Sequence, residues 1–330
     1  MKRVIPGFAL TFFLFAVAFP LQSAEKTQEI SKIFPFQNGG TLILRAADGN
    51  IFITSGKTQE VVLKITKRVH SASPKKAREI LQAITVDIRA KSDRIRIEGN
   101  SPNRNFSLFD IFSPDFWQTR SVRIEVDYSL TVPPKTRLNL KTVDGDIIIR
   151  NIAGEIQAKT DDGRIKIRNC SSGTLSLYSD DGDMQISNIQ TRGKNRSHLF
   201  FESNDGRITI KRGEFDKISG ETDDGDIHII DTSVHTLDIS SDDGNMETIA
   251  APLDAPIWRV QTDGGDILLV VPETLSAKLD IVTHEGTISS DFHLPIKERE
   301  DGAICRSSIN GGNGNISLHT QEGDVQIEKR

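Results

Sequence analysis

A six-residue motif, Thr160-Asp161-Asp162-Gly163-Arg164-Ile165, recurs along this chain and limits what it can fold into. Close copies occupy 142–147, 179–184, 203–208, 222–227, 241–246, 262–267, 283–288 and 320–325. Their glycines are separated by 18, 19, 24, 19, 19, 21, 21 and 37 residues. A period near 20 residues marks a solenoid or related array, whose units bury their apolar faces against their neighbours.

Around each glycine the pattern has period two. Seven residues before it lie Leu138, Ile156, Leu175, Leu199, Ile218, Leu237, Trp258, Leu279 and Ile316. Five before, the residue is again apolar in every copy except Gly220. Three before is always Ser or Thr, and two after is always Ile, Met or Val. Four after is mostly Ile, with Thr248 and Ser290 as exceptions. Such alternation on both sides of a turn belongs to strands with one buried face. The chain is therefore expected to be all-β: a parallel β-helix or β-solenoid with coils of about 19 residues, plus one short helix in its N-terminal part.

The turn residues suggest their roles. Gly reaches positive φ without steric cost, Asp tolerates left-handed backbone, and a Ser/Thr hydroxyl ties down a strand end. Gly154, Gly173 and Gly314, each nine residues before a turn glycine, are expected to mark a second bend. Stacked coils bring equivalent residues to about 4.8 Å. The sequence Asp146, Arg164, Asp183, Arg207, Asp226 after successive glycines then pairs opposite charges on neighbouring rungs. Aromatics are only 6% of the chain, which suits a core of stacked Ile, Leu and Val.

Three segments follow. Residues 1–24 read as a secretory signal peptide, with Lys2-Arg3 ahead of an apolar run and Ser23-Ala24 at the cut. Residues 33–135 hold a first coil, further strands, a helix and an aromatic loop, and residues 136–330 hold the repeats. The first coil, 41–53, stands nearly a hundred residues ahead of the others. In between, Val61–Val69 alternates as a strand, and Ser73-Pro74 starts a helix with Ala77, Ile80, Leu81 and Ile84 on one face. That helix is a candidate cover for an open solenoid end. Further strands are expected at 85–90, 94–98 and 122–132. The stretch 291–310, with mixed charge at 297–301, reads as a solvated loop, and 324–328 as a last, charged edge strand.

Formal charge is −5, becoming −7 once Lys2 and Arg3 are removed, which disfavours nucleic acid as a partner. An exported pair of cysteines invites a disulfide. Cys170 and Cys305, however, fall about six coils or 29 Å apart, beyond disulfide reach. Two free thiols are expected. Phosphate loops, HExxH, GxSxG and CxxC are absent from the sequence, and its seven histidines lack metal-ligand spacing.

The run Val122–Pro134, leading through Asn139-Leu140-Lys141-Thr142-Val143-Asp144-Gly145-Asp146-Ile147 and Gly154 to the motif at 160–165, carries a resemblance. With the upstream helix and the late Gly311-Gly312-Asn313-Gly314, it resembles a bacterial β-strand-repeat family of uncharacterised, adhesin-like proteins over most of residues 35–330. That resemblance implies an exported or membrane-attached β-solenoid and offers no catalytic residue to carry over. No cofactor or metal is expected.

The function expected is non-enzymatic: an adhesin-like, envelope-associated binding scaffold in the periplasm or outside the cell. The alternatives are a polysaccharide-acting β-helix enzyme using the repeated carboxylates and a calcium-stabilised repeat protein. A partner would be an envelope protein or a glycan, and membrane association is expected only through an uncleaved N-terminal segment. For specific contact the candidates are Phe109, Phe112, Phe116 and Trp117, in an aromatic-rich stretch that reads either as a lid on the solenoid or as an exposed binding loop.

Overall fold

The computed structural model describes residues 24–57, 59–71, 73–100, 122–190 and 197–330. Each repeat is a strand, a turn through the motif glycine, and a second strand, so the coils stack into two parallel sheets. The strands before the turns form the leading sheet. Arg137–Lys141, Ile156–Thr160, Thr174–Ser179 and Ser197–Ser203 follow one another there in register. The strands after the turns form the trailing sheet, where Ile147–Arg150, Ile165–Arg168 and Met184–Ile189 do the same. Ile208–Thr222, Ile227–Ser241 and Met246–Thr262 each run from the trailing sheet into the next rung of the leading sheet.

Inward side chains align because the registers do. The leading column runs Leu138, Ile156, Leu175, Leu199, Ile218, Leu237, Trp258, all buried. One hydrophobic cluster spans residues from Phe36 to Ile327. Each fully buried Leu or Ile contributes about 1.5–3 kcal/mol, which makes these columns the main cohesive element. Gly220, the gap in the apolar pattern, sits against Phe201, and a Cβ there would strike that ring. The larger side chain on one rung is matched by none on the next.

The first coil stacks where its sequence places it: Thr41–Arg45 pairs with Arg137–Lys141, and Ile51–Ser55 with Ile147–Arg150. The N-terminal end is then covered. Arg94–Asn100 extends the leading sheet and Thr85–Ala90 closes it antiparallel. On the trailing side Arg123–Val132, Glu60–Ser71 and Ala24–Pro35 follow in turn. The helix Pro74–Ala83 packs on the last two of these strands. Ser73 caps it, its hydroxyl accepting from the Lys76 N–H. Buried Lys67 donates to the Ile84 carbonyl at 2.8 Å, serving the C-terminal end, and burial lowers its pKa.

Four expectations need correction. First, the final strand is not an edge. Gly314–Thr320 and Val325–Lys329 form the penultimate rung, inserted between Met246–Thr262/Ile267–Val271 on one side and Ala277–Thr283/Ile288–Ser290 on the other. Second, 291–310 is no loop. Gly302–Ile309 pairs antiparallel with Ala277–Thr283 and with Lys297–Arg299, capping the leading sheet and burying Cys305. Glu300-Asp301 form the two-residue hairpin loop, closed by Gly302 at φ +125° opposite Arg299. Third, the second bend turns on Asn151, Asn169, Asn188, Arg212 and Asp231, all left-handed, rather than on the glycines. Their side chains form a ladder of their own: the Asn188 amide donates to Asn169 at 2.9 Å and Arg212 donates to Asn188 at 3.1 Å.

The fourth concerns the repeated glycines. Of the turn glycines only Gly49 has positive φ. The others are required for close approach: a Cβ at Gly145, Gly163, Gly182 or Gly206 would lie under 3.0 Å from the carbonyl of the glycine one rung below. Both cysteines are buried free thiols, in keeping with the rung count. Burial pushes the Cys170 thiol up to about 11, so it is inert at neutral pH.

Thr248 occupies an inward slot between Ile229 and Leu269, and its hydroxyl has no hydrogen-bond partner. Thr248→Val removes an unpaid desolvation cost and should stabilise the fold by about 1 kcal/mol. The urea midpoint should rise at constant slope; a lowered midpoint would mean that the hydroxyl is satisfied.

Candidate functional site

Two surfaces carry chemistry: the ridge of stacked turns and the outer faces of the sheets. The ridge rests on a ladder of buried hydroxyls. None of the nine motif Ser/Thr side chains is more than 4% exposed. Thr160, Ser179, Thr222, Ser241, Thr262, Thr283 and Thr320 each accept from their own turn and donate across the rung. The Gly163 N–H donates to Thr160 Oγ1 at 3.1 Å, and Thr160 Oγ1 donates to the Gly145 carbonyl at 3.2 Å. The same pair of contacts joins Thr262 to Gly265 and Gly244, and Thr320 to Gly323 and Gly265.

Just outside this ladder runs a second one. Asp146, Asp183, Asp226, Asn245, Asp266 and Asp324 each accept, through a side-chain oxygen, the N–H that follows the glycine on the next rung, at 2.7–3.1 Å. The predicted charge alternation is present: Arg164 pairs with Asp146 at 2.8 Å and Arg207 with Asp226 at 3.2 Å. Burial alone would raise the Asp226 carboxyl, but the Asn245 N–H and Arg207 outweigh it and hold it below its usual value.

The outermost carboxylates are not neutralised. Asp162 is raised above the ordinary value by a shared hydrogen bond with Asp144. Asp224 is raised by desolvation and by the charges of Asp205 and Asp243 on adjacent rungs. Where Gly264 interrupts the row of acids, Asp243, Asp263, Glu285 and Glu322 line an open notch. Among the described residues, no group of three or more His, Cys, Asp or Glu is placed to hold a metal ion.

The outer faces differ from one another. On the leading sheet Tyr178 and Phe200 sit side by side, ring centroids 5.6 Å apart. Further along, a cleft of ≈ 460 Å³ is lined by Asp238, exposed Ile257, Arg259, Lys278, Asn315 and Ser317. It opens where the strands of the Gly244 and Gly265 rungs slip register between Val234 and Thr236. Its mixed lining suits an extended ligand laid along the sheet. Neither feature was read from the sequence, although both follow from the outward positions of the same repeat. Phe109, Phe112, Phe116 and Trp117, the sequence-predicted contact residues, lie outside the described residues.

The family model Toastrack DUF4097 matches residues 24–328, and the chain belongs to that family. It is similar to a solved candidate cell adhesion protein from Clostridium sporogenes, with 12% identity over 92% of this chain and 100% of that one, TM-score 0.22. It is also similar to a candidate adhesin from Bacteroides fragilis, with 12% identity over 92% and 97% of the two chains, TM-score 0.39. A candidate lipid-binding protein from Parabacteroides distasonis is similar at 10% identity over 92% and 96%, TM-score 0.38. No curated protein matches.

Two predictions concern the ridge. Because the folded-state pKa of Asp224 is raised, its ionisation opposes folding above the unfolded-state value of about 3.9. Asp224→Asn should therefore raise Tm at neutral pH, with the gain fading below about pH 3, where both states are protonated. It should also shrink in high salt. Millimolar Ca²⁺ should leave Tm unchanged, since the innermost carboxylates already accept backbone N–H groups; a calcium-dependent rise of several degrees would assign the notch to the ion.

Proposed function

We propose that this Toastrack-family chain is an exported, non-enzymatic, adhesin-like scaffold that presents flat β faces to an envelope partner. The carrying observation is what the repeated acids do. Asp146, Asp183, Asp226, Asp266 and Asp324 are each engaged by a backbone N–H of the next rung. They are parts of the wall rather than a catalytic pair set at a defined separation beside a sugar site. What the coils leave for contact is extended area: two outer faces that repeat along the axis. Export through cleavage of 1–24 belongs to this reading, and so does residence in the periplasm or outside the cell. Among the described residues, no helix is long and apolar enough to cross a membrane.

The aromatic stretch with Phe109, Phe112, Phe116 and Trp117 remains part of the proposal as a specific contact loop. Phe112→Ser with Trp117→Ser should reduce capture by envelope fragments while the melt stays unchanged. The mature chain should also bind such fragments saturably, and polymers of uronic acid should yield no new reducing ends on incubation with it. Reducing ends that accumulate with time would overturn the scaffold reading in favour of an enzyme.

A further inference from the structure

The outer face of the trailing sheet carries its charge in an unusual way. On each of its strands the residues three and five after the turn glycine point outward, as the alternating burial of Ile147–Arg150 and Ile165–Arg168 shows. The row five after the glycine reads Arg150, Arg168, Ser187, Lys211, and Arg212 follows at the left-handed bend. Lys166 stands in the neighbouring outward row. Over the rungs from Ile51–Ser55 to the start of Ile208–Thr222, neither outward row contains a carboxylate.

Arg150 and Arg168 are direct register partners on adjacent parallel strands, so their backbones are about 4.8 Å apart. Like charges placed opposite one another destabilise a sheet. Elsewhere in this molecule the same problem is solved by alternation, as with Arg164 and Asp146. Here it is left standing. Among the described residues, Arg150, Lys166, Arg168 and Lys211 have no carboxylate partner. A chain with net charge −5 thus concentrates unneutralised cations on one face.

Apolar side chains flank them on that face. On the N-terminal side Phe52, 39% exposed, is in register with Ile148. On the C-terminal side Ile249 is the register partner of Ile230 on one side and of Val270 on the other, with Leu268 on the same strand as Val270. All four point outward and are half-buried, with Glu247 and Gln326 in register beside Leu268 and Glu328 beside Val270.

We infer that this face is a docking surface for an anionic phospholipid bilayer. A lipid surface offers both things the face lacks: a plane of fixed negative charge for the cations, and an apolar boundary layer for Phe52, Ile249 and Leu268. A soluble polyanion such as an acidic polysaccharide would satisfy the cations and leave the apolar rows wet. The acidic ridge does not oppose this docking. Arg150 is five residues beyond Gly145, or about 16 Å along the strand, roughly two Debye lengths at physiological salt. The chain therefore has a route to a membrane other than a retained N-terminal segment. This inference rests on the scaffold reading above and names its partner.

The test uses residues 25–330, the chain left after the expected cleavage, so that the apolar run of 4–21 cannot itself bind the vesicles. They should sediment with vesicles of equal parts phosphatidylglycerol and phosphatidylcholine and remain in solution with phosphatidylcholine alone. Binding should weaken as the screening length falls from about 10 Å at 0.1 M salt to about 3 Å at 1 M. Arg150→Glu with Arg168→Glu should reduce partitioning more than about 25-fold, from roughly five-fold per cation removed. Arg94→Glu with Arg137→Glu, the same charge change on the exposed leading sheet, should leave it nearly unchanged. Leu268→Asn with Val270→Asn should abolish whatever binding survives in 1 M salt.

Folding of each variant is checked by its melt, since all these side chains are outside the core. No sedimentation with anionic vesicles, or equal losses from the two arginine pairs, would overturn the inference. So would capture by soluble polygalacturonate with no partitioning to vesicles; that result would leave the scaffold reading intact. Hydrolysis of the polymer would instead sink the scaffold reading, whatever the vesicles showed.

Discussion

The fold depends on one hydrogen-bonded relay. A buried hydroxyl accepts the N–H of its own turn glycine and donates to a turn carbonyl one rung below, as Thr160 does with Gly163 and Gly145. A turn stacked inside a solenoid buries backbone groups that have no strand partner, and each one left unpaired would cost about 1–3 kcal/mol. The Ser/Thr side chain satisfies two such groups at once. It reaches both only if consecutive turns nearly touch, and they can touch only if the stacked residue has no Cβ. The invariance of Gly and of Ser/Thr in the motif is therefore a single requirement. The hydrophobic columns supply the cohesive energy, and the relay fixes the spacing at which they stack.

Much of this was legible in the sequence because period two and period nineteen are both written in side-chain polarity. Leu138, Ile156 and Leu175 had to be inward neighbours, and the detached first coil around Gly49 had to stack with the rest. The purpose of the glycines was not legible: close approach and positive φ call for the same residue, and only the stacked backbone separates them. The second bend was misassigned for a related reason. Asn151, Asn169 and Asn188 adopt left-handed backbone at regular spacing, a signal available in the sequence but masked by the more familiar Gly154 and Gly173.

Rung order was the least legible property. Parallel pairing scores the same for any two coils, so the repeat cannot say which coil is whose neighbour. The gap of 37 residues between Gly286 and Gly323 was the one indication that the series is not collinear. The outward rows were also passed over, since a search for the core discards them. Yet they separate into an acidic ridge along one edge, a mixed cleft at Ile257, and the basic and apolar face at Arg150 and Leu268. The buried pattern sets the architecture, and the discarded half of the same alternation distinguishes this chain from any other solenoid of its length.

The insertion of Gly314–Thr320 and Val325–Lys329 between two earlier rungs bears on how the molecule is completed. A ribosome delivers residues 277–290 well before the segment on which they finally rest. Until residues 314–329 arrive, that coil has no native neighbour toward the body of the stack, and the cap built on it has nothing to hold down. Residues 314–329 act as a keystone, placed after the coil they support into a gap left for them. A polypeptide released before residue 314 would thereby leave the coil of residues 277–290 with an open sheet edge, the kind of edge that other chains pair with.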